Sequence, residues 1–562
     1  MKATKSVVSG AVCAVLALSF AACSGNSTPT TTTPAGTGTS TSASSPSAPA
    51  AKAAITIRGC TPQNPLLPTN TNEVCGGNVL DASEAKLVHY NSDTAAPELD
   101  IAASIETTDA VHWTVKLNKG YMFQDGTEVK AKNFVDAWNW GAYAPNGQQN
   151  AYFFEPIKGY ADEQCDGDGC TPAAKTMSGL VVVDDYTFTI ETTSPTSNLE
   201  VRLGYTAFAP QPDAFFADTS EGKVNFAKLP IGAGPYQITS NTDTAMVLTK
   251  FAGYSGKNKG SVDQVTFKIY NDANAAYNDV VANNLDVTDL IPSDQLVGDA
   301  WKSDLVAADG SPRWGTKDTG IIQVLSFAPA KVDPGMKDIR IRQAISMGFD
   351  RSLVVQQVFN NARKPADGWV SPVVDGYKPG QCTSCTFDPV KAKELYDAAG
   401  GYPGTLQLWV NGDGGHDAWS NAVCNQLINN LGVKCVVATT PDFKTLRNSI
   451  NKRELKGMYR GGWQMDYPSI ENFLAPIYST GASSNDTDYS SAKFDDLLKQ
   501  AAAASDAATA NGLYQQAADQ LNADFPTMPL WFQQSQFGFS SKVKSIKMTP
   551  FSTFDLGSVV LN

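Results

Sequence analysis

An apolar run from Val7 to Leu18, preceded by Lys2 and Lys5, fixes the compartment in which the rest of the chain must fold. The run is too short to cross a hydrocarbon core of ~30 Å and has the form of a secretory signal, and no other stretch approaches ~18 apolar residues. Export puts the cysteines in an oxidising environment, where they become covalent constraints on topology. There are ten of them. Cys13 leaves with the signal and Cys23 directly follows it, while the others fall in close pairs: Cys60 with Cys75, Cys165 with Cys170, Cys382 with Cys385, and Cys424 with Cys435. Loop closure is least demanding between near neighbours, so these local disulfides are the expected set. Cys382-Thr-Ser-Cys385 would serve as a redox or metal motif only beside a thioredoxin-like βαβ pattern, a second cysteine pair or a suitably spaced histidine. His89, His112 and His416 are the three histidines and lie far apart in sequence, so neither a metal nor a cofactor is expected.

Residues 24–51 contain only Ser, Thr, Pro, Ala, Gly and one Asn. Such a segment cannot bury enough apolar surface to offset chain entropy, and it reads as an open tether of ~30 Å on average and ~90 Å at full extension. Phe20-Ala21-Ala22-Cys23 resembles the lipobox at which bacterial lipoproteins are cleaved and lipidated, with Phe20 standing where Leu is usual. That resemblance implies a signal peptide over 1–22, a lipid on Cys23, and a disordered linker over 23–53 that holds an exported domain at the outer face of the cell membrane. Beyond the linker, 42% hydrophobic and 18% charged residues are ordinary for globular folds, and 562 residues suffice for several domains. The formal charge of −13 is spread along the chain, which argues against a nucleic-acid partner.

Periodicity predicts mixed α and β structure. Val111, Trp113, Val115 and Leu117 alternate with polar residues as in a half-buried strand, Gln124-Asp125-Gly126 reads as a turn, and Phe134, Ala137 and Trp138 recur at helical spacing. Further strands are expected at 180–183, 186–191, 247–250, 265–270 and within 541–562. Asp338 is placed as the N-cap of a helix with Ile341, Ala344, Ile345 and Phe349 on one face, and Asp388-Pro389 opens another helix. Helices are expected at 421–431, 494–503 and 510–523. No repeat of 20–50 residues is visible.

The run from Trp113 to Trp138 resembles the signature of the dipeptide- and oligopeptide-binding proteins of bacterial ABC importers, the family 5 solute-binding proteins. Four more blocks follow in the order seen in that family: Pro230–Tyr236, Asp338–Arg351, Phe387–Leu395, and Trp463-Gln-Met-Asp-Tyr-Pro468 leading to Phe494–Leu498. The resemblance covers about residues 60–550. It implies an α/β fold, a two-lobed periplasmic-binding-protein-like clamp of type II with mixed sheets flanked by helices and an extra inserted domain. By similarity, lobe one takes 54–90, 220–318 and 531–562, the inserted domain 91–219, and lobe two 319–530. It further implies a monomer that encloses its ligand by hinge closure and delivers it to the permease subunits of an importer.

A free peptide offers an ammonium, a carboxylate and paired backbone groups, so a general site must match the termini with charges and the backbone with strand-like hydrogen bonds. By the same resemblance Asp466 is the ammonium partner, Trp463 a pocket wall, and Arg460 a group that helps receive the carboxylate of a short peptide. Asp289 lies in a block that approaches ligand in some relatives, and Lys452 and Arg453 fall where a carboxylate partner could sit but read better as solvated. Ala328 stands where the family often has an Asn. Taken alone, Asp466 also reads, less favourably, as an Asx-turn or N-cap ahead of Tyr467-Pro468. No Gly-x-Ser-x-Gly elbow, His-Glu-x-x-His helix, phosphate-binding Gly-rich loop or dinucleotide fingerprint is present, so no enzyme is expected. The competing readings are the same clamp taking an oligosaccharide or another non-peptide solute, or acting as a surface sensor or adhesin.

Overall fold

Two long strands, Trp314–Phe327 and Thr527–Phe539, pair antiparallel over most of their length and form the spine of the molecule. Their register shifts between Asp318 and Ile322 and again between Gln323 and Val324, and such irregularities bend and twist a ribbon. On one side the spine continues into Val287–Thr288, Ala54–Gly59, Gln264–Ile269, Ala245–Lys250 and Tyr236–Asn241. On the other it continues into Met458–Gln464, Thr405–Asn411 and Lys434–Thr440, and Arg363–Pro365 joins it separately. One eleven-stranded mixed sheet therefore runs through both lobes. The molecule is a two-lobed α/β clamp whose lobes share the spine strands. The computed structural model describes residues 53–562 apart from positions 166, 168, 442, 483 and 505, so the expectations for the signal, for Cys23 and for most of the linker lie outside the described residues.

A separate antiparallel sheet of four strands, in the order Ala102–Thr107, His112–Leu117, Thr187–Glu191 and Leu180–Asp184, packs on the helix Ala131–Ala142. The 3.6-residue spacing seen in the sequence puts Phe134 and Trp138 on the buried face of that helix, where they meet Phe154, Phe188 and Phe208 edge-on or stacked. Full burial of a large apolar side chain contributes ~1.5–3 kcal/mol, and oriented ring pairs add ~0.5–1.5 kcal/mol, so this cluster gives the inserted region a core of its own.

Helix starts follow their caps. Asp338 accepts from the Arg340 amide, Asp350 from Leu353 and Asp388 from Lys391, with Pro389 in the first turn. Asp350 caps the helix Arg351–Phe359. Arg351, nearly inaccessible, donates to the carbonyls of Ser346, Cys385 and Pro529, tying that helix start to the second spine strand.

One region packs differently from the sequence partition. Tyr277, Val280, Trp301 and Leu305 share the apolar core of the second-lobe helices, because the continuous sheet carries one apolar face across the spine. Four disulfides, Cys60–Cys75, Cys165–Cys170, Cys382–Cys385 and Cys424–Cys435, close short loops. Among the described residues no helix is long and apolar enough to cross a membrane.

Candidate functional site

A cavity of about 720 Å3 opens where the lobes and the inserted region meet. Its wall draws on Thr71–Ser92, on Gln149, Tyr152 and Gly204–Thr206, on Arg460–Asp466 and the neighbouring 443–451 and 477–487 segments, and on Thr549–Asp555. No single stretch of sequence builds it.

The strand Met458–Gln464 supplies the floor. It pairs antiparallel with Trp314–Phe327 along its whole length, but its other edge pairs with Thr405–Asn411 only at Met458 and Tyr459. From Gly461 to Gln464 that second edge has no strand partner among the described residues, and Gly461 and Gly462 bring backbone rather than side chain to the cavity wall. The chain then leaves the sheet at Met465, whose amide donates to the Gly320 carbonyl.

Asp466 sits at this exit. Its side chain accepts from Asn472 Nδ2 at 3.0 Å, and its own amide donates to Asn472 Oδ1 at 2.9 Å. The same Oδ1 accepts the Trp463 indole N–H at 3.0 Å, so one asparagine locks the wall and the carboxylate together. Asp466 does not cap the following turn, because Ser469 does so by accepting from the Glu471 amide. The carboxylate keeps part of its surface toward the cavity yet is enclosed by protein on every other side. Burial is the main cause of a pKa pushed up to about 7, against which Asn472 works, while Glu471 raises it further and Arg202 lowers it. No salt bridge among the described residues involves Asp466: Arg202 is bound to Glu471 at 2.8 Å, Lys86 to Asp81 at 2.9 Å and Arg447 to Asp486 at 2.6 Å.

Three phenols surround this carboxylate. Tyr90, Tyr152 and Tyr205 line the cavity, and all are held protonated first by burial and then by the Asp466 charge. The Tyr90 hydroxyl donates to the Val201 carbonyl at 2.6 Å, and its ring stacks on Phe551 at 5.0 Å. The site thus presents a carboxylate without a cation, inside aromatic walls, at the end of an open strand edge. That arrangement suits a cation with an extended backbone attached.

The structure brings Asp466, Trp463 and Arg460 to one cavity wall, with the Arg460 guanidinium 5.2 Å from the Phe443 ring centre. Asp289 is elsewhere: it faces a small second pocket, and Arg58 Nη2 holds its carboxylate at 3.0 Å. Arg453 binds Asp488, and Lys452 is exposed. Ala328, where the family's Asn is missing, donates its amide to the Gly457 carbonyl and joins a small core with Leu446 and Tyr459. Sequence reasoning missed Asn472, Arg447 and the three tyrosines. An amide six residues after Asp466 was the one local signal, whereas the tyrosines arrive from segments distant in sequence.

The family model for bacterial extracellular solute-binding proteins, family 5 (middle), matches residues 96–485, more than half of the chain. The chain is a family 5 solute-binding protein. Among the relatives of this family 5 protein, the oligopeptide-binding protein OppA of Bacillus subtilis is 23% identical over 509 residues, covering 88% of this chain and 90% of that protein. The periplasmic oligopeptide-binding protein OppA of Escherichia coli is 25% identical over 448 residues, 78% of this chain and 79% of that one. The fold of the family 5 chain is that of the murein tripeptide-binding protein MppA of E. coli, with a TM-score of 0.76 at 22% identity over 91% of this chain and 98% of that one. Listeria monocytogenes OppA bound to peptide superposes with a TM-score of 0.72 at 19% identity, covering 91% and 99% of the two chains.

Proposed function

We propose that this family 5 protein is the substrate-binding lipoprotein of an ABC importer, capturing di- and oligopeptides outside the cell by hinge closure and passing them to the permease. The observation that carries this reading is Asp466, an enclosed carboxylate with no cation of its own at the end of an unpartnered strand edge. A peptide's ammonium supplies the missing charge, and its backbone extends the sheet along Gly461–Gln464. Arg460, on the same cavity wall, is the candidate partner for a carboxylate. Trp463 walls the ammonium end, and Asp289 serves the fold through Arg58 instead. The relatives, oligopeptide-binding and murein tripeptide-binding proteins, favour the same ligand class.

Closure would bring lobe two (319–530) onto lobe one (54–90, 220–318, 531–562) and the inserted domain (91–219), with ligand contacts to both sides favouring the closed form. Lipid on Cys23 and a tether over 23–53 would keep a monomeric clamp at the outer face of the membrane. The protein acts as a binder rather than an enzyme.

Native mass spectrometry of residues 52–562 purified without refolding, with Asp466→Ala alongside, tests the reading. Heterogeneous masses of short peptides that disappear in the variant are expected. A single non-peptide mass, such as an oligosaccharide, or binding indifferent to Asp466→Ala, overturns it.

A further inference from the structure

Glu471 and Arg202 both act on the Asp466 carboxyl, the first raising its pKa and the second lowering it, and they are paired with each other. Glu471, only 5% exposed, accepts from Arg202 Nη2 at 2.8 Å, from Asn198 Nδ2 at 2.9 Å and from the Tyr467 hydroxyl at 2.6 Å. Arg202 comes from the inserted region and Glu471 from the second lobe. The Arg202 guanidinium lies 5.3 Å from the ring centre of Tyr467, the residue next to Asp466, and Tyr467 itself is buried in the core of the inserted region beside Phe153. A cation that bears on the Asp466 carboxylate is therefore one the protein itself carries, on the segment whose neighbours Val201 and Tyr205 shape the same cavity. Left to itself, a guanidinium there would form the bidentate pair that carboxylates favour.

We infer that Glu471 is the specificity-determining residue of this cavity: by holding Arg202 it keeps Asp466 unpaired and so reserves that carboxylate for a cationic ligand group. The inference rests on the reading of Asp466 as an ammonium partner and adds the reason why the protein does not fill its own site. Glu471 touches no ligand in this scheme. It acts through Arg202, and a ligand whose amine is blocked should be the beneficiary when it is removed. With Glu471→Gln, Arg202 is released from a charge partner and turns to Asp466, so the cavity loses its net demand for a cation.

The test uses a pool of random tri- to pentapeptides, either with free N-termini or N-acetylated, read by native mass spectrometry and titration on the mature protein. The parent should prefer free over acetylated peptides by about 30-fold or more, the size of effect expected from an enclosed charge pair. E471Q should lose most of that preference, to within about threefold of parity, chiefly by losing affinity for the free peptides. The double variant R202M/E471Q, which removes the competing cation as well, should recover it. A purely positioning role of the Arg202–Glu471 pair predicts loss in both variants, so a double variant without preference overturns the inference, even if E471Q alone fails to fold. E471Q that keeps the parent's preference overturns it too. A parent with no preference at all overturns the ammonium reading beneath it, and is distinguishable because it appears before any substitution is made.

Discussion

Burial raises the Asp466 carboxyl to about 7, above its ordinary value of 3.8, and this sets the sign of two pH effects. In the empty protein the raised group favours folding below about 4, and that contribution is lost as pH rises through about 7. Ligand binding runs the other way, because an ammonium pairs only with the ionised form. We expect Kd for a short peptide to fall about tenfold per pH unit between 5 and 7 and to level off until the peptide amine itself titrates near ~8. Calorimetry in buffers of differing ionisation heat should find about one proton released per peptide at pH 5, and Asp466→Asn should abolish both the slope and the release. A flat profile in the parent would remove Asp466 from the site. Asn472 is the second residue whose role is plain from geometry. Asn472→Ala leaves the Trp463 indole and the Asp466 amide without their acceptor, at about 1–3 kcal/mol for each group that stays buried. Thermal melts should show that loss, and peptide affinity should fall by about tenfold or more as Asp466 loses its fixed orientation. The sequence singled out Asp466 and Trp463 through their block. It gave no reason to couple them to Asn472, since a hydrogen bond from a strand to the following turn depends on where the chain folds back.

At the level of elements, the strand Met458–Gln464 decides the site, and its register starts at Gly457. Gly457 has φ +81°, and a Cβ there would lie 2.3 Å from the Gln407 carbonyl oxygen, while its amide donates to Asp333 at 2.7 Å. Gly457→Ala should therefore cost more than the ~1–3 kcal/mol of a strained backbone position, read as a shifted urea midpoint. Peptide affinity should drop with it, because a displaced strand carries Arg460 and Trp463 along; an unchanged midpoint would show that the strand is not anchored there. The helices and amphipathic strands were legible from periodicity and caps: the helix at 131–142, its partner strand at 112–117, and the caps Asp338 and Asp388 all stand as the pattern requires. The long spine strands were not. Thr527–Phe539 is buried on both faces over much of its length, so Met528–Phe532 shows an apolar run rather than alternation, and its pairing partners lie 166 residues or more away in sequence.

For the molecule as a whole, the local disulfides and the shared sheet contribute stability in different ways. Cys60–Cys75 closes the longest of the disulfide loops, 15 residues in separation, and Cys382–Cys385 the shortest, 3 residues. Removing the first pair by Cys60→Ser with Cys75→Ser should cost about 3 kcal/mol and removing the second less, an order that denaturant titration of the two double variants checks. Equal costs would place the stabilisation in the folded state rather than in the unfolded chain. The sequence by itself determined the signal-like start, the low-complexity tether, the family blocks, the element types and the residue types able to meet a peptide's charged ends, because each of these is written in neighbouring residues. Only the tertiary structure decided that one sheet runs through both lobes, that Asp289 is bound to Arg58, that tyrosines from three separate segments share the cavity with Asp466, and that Arg202 is held by Glu471. Those are contacts between residues far apart in the chain. Whether a carboxylate is paired, solvated or left unpartnered depends on which distant cation the fold brings within reach, and local pattern carries no record of that distance.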